Sequence, residues 1–245
     1  MTWSSSDRFG VAPSGKPGGV SRCCTVRGHP WGVAEHVVLC LDPAFVRGAT
    51  KRALRKWAKK QNHRNIRYTN LPLPRCAEQG VRLLDKELRS AGGPVTVLGW
   101  SEGAQVAAKW LRERGPGVWI SDVDFVLLGN PERKYGGALF VQSPPRHFGA
   151  LPTAAYGGPG VPADTPYRVT DFVRQYDGWA DLPTSENPGK AARKVPSDAI
   201  HMNYFHVGLD DEDVLSYTEG NVTYLLKPTE HRLSDEAELD YDRPF

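Results

Sequence analysis

The sequence predicts an α/β domain, a mostly parallel central sheet flanked by helices. Three observations carry that prediction. Short apolar runs rich in β-branched residues recur at 36–41 (HVVLCL), 94–100 (PVTVLGW) and 123–131 (VDFVLLGNP). Each run is apolar throughout rather than alternating, the pattern of a strand covered on both faces. Helical spacing fills the gaps between them, and strands separated by helices pair in parallel through right-handed crossovers.

Taken in order, residues 1–35 are rich in Ser, Gly, Pro and Arg and have little periodicity, so they read as a mobile or extended N-terminal arm. Residues 36–245 read as a single domain. The run 36–41 opens it as a strand. A basic helix is expected over 48–62, with Leu54, Trp57 and Ala58 on one side. IRYTNLP (66–72) looks like a strand stopped by proline, and 75–90 returns to helical spacing before the stop AGG at 91–93. After the strand 94–100, EGAQVAAKWLRERG (102–115) is a helix ending at Gly115, and 123–131 is the next buried strand. A Gly/Pro-rich insert follows at 131–166. Its Phe140, Phe148, Leu151 and Tyr156 form either a lid or acyl groove or a packed loop. TPYRVTDFVRQYD (165–177) resumes as a strand; the chain is then loop-like from 184 to NVTYLLKP (221–228), a last strand or edge hairpin.

Composition narrows the classes. The chain has 245 residues, 40% hydrophobic and 24% charged, enough to bury a sizeable core. No apolar run is long enough to span a bilayer as a helix, so no integral membrane segment is expected. The N-terminus lacks the apolar stretch of a signal peptide. Cys23, Cys24, Cys40 and Cys76 have no zinc-site spacing; free thiols are expected, with a disulfide at Cys23 or Cys24 as the alternative. The net charge of +3 hides a basic zone at 47–67 and an acidic one at 210–242, both read as solvated faces. The basic zone lacks aromatic interleaving or a known motif, so nucleic acid is not an expected partner. The acidic run 210–213 lacks the glycine-bearing spacing of a calcium loop. No metal and no cofactor are expected.

Gly99-Trp100-Ser101-Glu102-Gly103 fits G-x-S-x-G, and it stands where the chemistry requires, directly after a strand and directly before a helix. In that setting the serine sits on a tight turn and needs small neighbours two residues to either side. The alternative is a Ser N-cap in an ordinary strand-to-helix turn. As nucleophile, Ser101 would face a helix N-terminus whose free N–H groups stabilise an oxyanion. Glu102 N–H would be one oxyanion donor. The loop after the first strand, Leu41-Asp42-Pro43-Ala44, would supply the second from Asp42 or Ala44, because Pro43 has no N–H. In an α/β-hydrolase the chain order is Ser, acid, His. RVTDFVRQYDGWADLP offers Asp171, Asp177 and Asp181 as the acid; Asp177 is placed at the strand end and Asp181 as a possible brace. His201, His206 and His231 follow as candidate bases, with His201 in the loop AIHMNYFHVG.

The segments VTVLGWSEGAQVA (95–107), LLGNPERKYGGAL (127–139), VTDFVRQYDGWADLP (169–183), His201-x-x-Tyr204 and EGNVTYLLKPTEHRL (219–233) resemble the PE-PPE domain. This is a serine α/β-hydrolase domain of mycobacterial proteins, related to cutinases and mycobacteriophage lipolytic proteins. The resemblance runs from about Val37 to Pro228. It implies an α/β-hydrolase fold and a triad of Ser101, Asp177 and His201; on the residues themselves Asp181 and His206 remain the alternatives. It implies an acyl, lipid-like ester as substrate, cleaved through an acyl-enzyme. An acyltransferase on cell-envelope lipids or sugars would use the same triad; a non-enzymatic virion or structural protein would keep only the fold. No PE or PPE module precedes the domain, and CLDPAF lacks the family's glycine-containing loop. A free-standing domain without a signal peptide looks more like a phage-encoded version than an exported bacterial one; if phage-encoded, it is expected in the host cytoplasm or virion. The oligomeric state is left open.

Overall fold

The computed structural model describes residues 35–54, 57, 61–117, 120–140, 157–182 and 197–229. Residues Ala34–Phe245 group as one unit; the expected arm lies, but for Glu35, outside the described residues. The elements are β1 (Val37–Leu41), a 3-10 turn (Thr50–Arg52), β2 (Asn62–Asn65), α1 (Pro74–Ser90), β3 (Val95–Trp100) and α2 (Glu102–Glu113). They continue with β4 (Val123–Leu128), β5 (Arg168–Arg174), α3 (Ser197–His201), β6 (Leu215–Glu219) and β7 (Val222–Lys227). One seven-stranded sheet has the order β2-β1-β3-β4-β5-β7-β6. Every pairing is parallel except β6 with β7, which is antiparallel.

Side chains of the strands alternate between two cores, as the two-residue period requires. Leu39, Leu41, Val97, Phe125 and Leu127 face α1 and α2 on one side. Val38, Cys40, Leu98, Trp100 and Leu128 face the other, where Ala53, Leu54, Tyr204 and Val207 cover them. α1 begins at Pro74, whose fixed φ suits the first helical position. α2 is tied to α1 by the Trp110 indole N–H, which donates to Asp85 at 3.1 Å, and Trp110 stacks on Phe125.

Three sequence expectations shift. The strand expected at 66–72 is β2, at Asn62–Asn65. The ladder ends with the Ile66 N–H donating to Cys40 O at 2.9 Å; two residues on, Asp42 O accepts the Tyr68 hydroxyl (2.9 Å) in place of a main-chain N–H. Ile66, Tyr68 and Asn70 still bury every second side chain, but off the sheet. The helix expected over 48–62 is a 3-10 turn at its start and already strand at Asn62; Trp57 is helical, and 55, 56 and 58–60 lie outside the described residues. The chain after 184 includes a short helix, α3, and both strands of a hairpin. β7 is interior because it pairs with β5, leaving β6 as the edge.

The segment GNPERKYGG pins the chain after β4 onto β5 and β6. Asn130 donates its side-chain amide to Asp171 (3.0 Å), and the Arg133 guanidinium donates to the Asp171 carboxylate (2.9 Å), both side chains being buried. Lys134 and Tyr135 bind Glu219 of β6. Burial pushes Asp171 above the usual carboxylate range against the pull of Arg133 and Asn130, in a buried pair that joins β5 to the chain after β4. In the acidic run, Asp211 and Asp213 hold Lys227 of β7. Cys40 and Cys76 are free and buried, and burial pushes the Cys40 thiol up to about 12, which keeps it inert. Cys23 and Cys24 lie outside the described residues, as do Phe148, Leu151 and Tyr156 of the expected lid or acyl groove.

Candidate active site

Ser101 leaves β3 with φ 55 and ψ −116, a conformation rarely adopted outside glycine. The turn is close enough that only glycine fits around it. A Cβ on Gly99 would lie 2.6 Å from the Gly103 carbonyl oxygen, and one on Gly103 would lie 2.1 Å from that of Leu41. Ser101 stands at the N-cap of α2 but makes no side-chain capping bond. Its hydroxyl meets His201 Nε2 at 2.8 Å instead.

His201 closes α3 rather than lying in the expected loop, and it is nearly fully buried. The Trp100 indole N–H donates to its carbonyl at 3.1 Å, so the residue before the serine holds the backbone of the histidine. Nδ1 of His201 lies 2.8 and 3.0 Å from the two Asp177 oxygens. Asp177 oxygens also accept the Trp179 N–H (2.8 Å), the Ala180 N–H (3.1 Å) and the Tyr204 hydroxyl (2.7 Å). A carboxylate that accepts from every neighbour leaves Nδ1 as the ring's donor. Nε2 then accepts the Ser101 hydroxyl. Burial, reinforced by the Asp177 charge, holds the Tyr204 phenol well above its ordinary pKa, so it stays a donor.

Asp181 and His206 are not brought to this cluster. Asp181 accepts the Tyr176 N–H at 2.8 Å and braces the loop after β5; His206 is exposed. His231 lies outside the described residues. Glu102 follows the serine and opens α2. Leu41, touching Gly103, brings residue 42 beside the elbow. The Asp42 side chain accepts the Gly48 N–H (2.7 Å) and Thr50 N–H (3.1 Å), so it shapes the loop after β1. Sequence reasoning gave no role to Tyr204, Trp179 or Gly129. The Tyr three residues after His201 was the one available signal, since Trp179 acts through its main chain and Gly129 through having no side chain. Among the described residues, no group of three His, Cys, Asp or Glu side chains is placed to hold a metal.

A parallel sheet with a serine elbow between β3 and α2 defines an α/β-hydrolase fold. The family model of the PE-PPE domain matches residues 51–190. The chain belongs to the PE-PPE domain family. Ser101 and Asp177 lie inside the matched stretch and His201 beyond it. Among curated proteins, the chain is 32% identical over 153 residues to Esterase PE16 of Mycobacterium tuberculosis, covering 58% of this chain and 28% of that one. It is 33% identical over 125 residues to PE family protein PE3 of the same organism, covering 46% and 25%. The matches thus span about a quarter of the length of these relatives. Among solved structures, a cutinase-like protein from Cryptococcus sp. superposes with a TM-score of 0.51 at 16% identity, covering 71% of this chain and 88% of that chain. That likeness concerns the fold alone.

Proposed function

We propose that the protein is a serine esterase or lipase that hydrolyses acyl, lipid-like esters through Ser101, His201 and Asp177 and an acyl-enzyme intermediate. The observation that supports this most directly is the Ser101 hydroxyl, which forgoes the helix cap and lies 2.8 Å from His201 Nε2. Likeness to Esterase PE16 points the same way.

In this reading Ser101 Oγ attacks the ester carbonyl as His201 Nε2 takes its proton. Asp177 fixes the tautomer and stabilises the imidazolium. Tyr204, Trp179 and Ala180 hold the carboxylate so that it cannot turn away. The oxyanion develops over the N-terminus of α2, with Glu102 N–H as one donor and Asp42 N–H as the other. His201 returns its proton to the leaving alkoxide, releasing the alcohol. Water then attacks the acyl-enzyme with His201 as base; His201 gives that proton to Ser101 Oγ as the acyl–oxygen bond breaks, and the carboxylic acid departs.

A fluorophosphonate probe and a chain-length series of p-nitrophenyl esters test the reading. Ser101→Ala should abolish labelling and turnover with the melting temperature unchanged. Asp177→Asn should lower turnover by roughly four orders of magnitude, and Asp181→Asn by far less. Labelling of Ser101→Ala at the wild-type rate would remove the nucleophile assignment.

A further inference from the structure

The carboxyl ends of β1 and β2 carry a surface that the esterase chemistry does not use. A cavity of about 370 Å³ opens there, lined by Arg47, Arg67, Asp42, Asn65, Tyr68 and Asn70 among others. Its one carboxylate, Asp42, is already taken by the Gly48 and Thr50 N–H groups. Neither guanidinium has a carboxylate partner among the described residues, so the lining is net positive. The surrounding chain reinforces the sign: between Pro43 and Ala77 there are ten lysines and arginines and no aspartate or glutamate.

Within three residues along the chain of lining residues Arg47 and Asn70 are the exposed apolar side chains Phe45 (62% exposed), Leu73 (49%) and Leu71 (37%). Phe45 is held at φ 64, an uncommon conformation for a bulky residue. The hold is specific. Phe45 N–H donates to Asn70 O at 2.9 Å, and the Asn70 amide donates to Pro43 O at 2.9 Å. The same bonds seat Leu71 next to Phe45. Maintaining an exposed aromatic ring in a strained backbone has a cost that packing does not offset, which points to a role outside the fold. All of this lies at the sheet end that carries Ser101. β2 is two strands from β3, roughly 10 Å away.

We propose that this face docks on an anionic lipid surface, with Phe45, Leu71 and Leu73 entering the acyl layer and the cavity between Arg47 and Arg67 receiving a phosphate-bearing headgroup. Cations flanking apolar prongs match such a surface, which offers negative charge above hydrocarbon. Nucleic acid would use the cations but gain nothing from the two leucines. Docking brings Ser101 to the lipid, yet it is separable from turnover, so it is measured on the Ser101→Ala protein and survives failure of the esterase reading.

The experiment is flotation with vesicles of phosphatidylcholine alone and of an equimolar mixture with phosphatidylglycerol. Binding is expected to the mixed vesicles only and to weaken as salt rises. Phe45→Asn should weaken it by about tenfold. Asparagine tolerates the left-handed backbone better than phenylalanine, so the melting temperature should hold or rise and a lost fold cannot explain lost binding. Arg47→Gln with Arg67→Gln should weaken it roughly thirtyfold. Equal binding to both vesicle types, or full binding by Phe45→Asn, would overturn the proposal. So would retention on duplex DNA in preference to the mixed vesicles, unaltered by Phe45→Asn.

Discussion

Gly129 follows β4 at φ 52, and a Cβ there would lie 2.9 Å from Asp177 Oδ2, 3.1 Å from Tyr204 OH and 3.2 Å from His201 Nδ1. No side chain fits beneath the acid–histidine contact without moving it. Gly129→Ala also meets the left-handed penalty of about 1 kcal/mol. The expected outcome is a loss of turnover of up to about a hundredfold, the cost of misplacing reacting groups by about 1 Å, with only a few degrees lost in melting temperature. Ester hydrolysis and calorimetry on the same preparation check this, and unchanged turnover would show that the contact tolerates displacement. At this scale the sequence spoke clearly for Ser101, whose glycine neighbours are local. It was silent on Gly129, whose partners come from the turn after β5 and from α3 and the residues that follow it.

Where α1 crosses α2, Gly80 faces Val106. A Cβ on Gly80 would lie 2.9 and 3.0 Å from the two Val106 methyls and 3.3 Å from Tyr68 Cδ2. Alanine at a mid-helix glycine normally stabilises by about 1 kcal/mol. Overpacking costs about 1–3 kcal/mol, and valine in a helix has one favoured rotamer and cannot step aside. Overpacking wins, so Gly80→Ala should destabilise the protein. In a Val106→Ala background the same substitution should stabilise it, a reversal that denaturant unfolding of the four proteins would show. The long helices and buried strands were legible because their apolar periods are strong. β2 (NHRN) was not, since it is an edge strand held by β1's main chain and its polar side chains carry no strand signal.

Across the whole molecule, Glu219 ties the edge strand β6 to the chain after β4. Lys134 approaches its oxygens at 2.6 and 2.7 Å, and the Tyr135 hydroxyl donates at 3.0 Å. The Lys134 and Tyr135 hydrogen bonds outweigh burial and lower the Glu219 pKa from its ordinary 4.5. A carboxyl whose pKa is lower in the folded than in the unfolded protein stabilises above the ordinary value. That contribution fades as pH falls through the lowered one. Thermal unfolding should therefore separate wild type from Glu219→Gln at neutral pH, and the gap should close as pH drops below 4.5. A gap that persists in acid would mean that the carboxylate charge contributes nothing there.

The sequence alone determined the α/β class and the strand–elbow–helix around Ser101, because each is written in neighbouring residues or in a short period. Only the tertiary structure decided which acid meets which histidine. Asp171, Asp177 and Asp181 are alike in sequence, yet one pairs with Arg133 inside β5, one meets His201, and one braces a turn. His201 and His206 are five positions apart, and the choice between them rests on Trp100 of β3 and on Asp177, which lies in the turn three residues beyond β5 rather than at the strand end the sequence suggested. The pairing of β7 with β5, the polar edge strand β2 and the cationic cavity are likewise products of long-range contact. A hydrogen bond or pairing across many residues depends on where main-chain atoms come to rest, and side-chain pattern does not encode that.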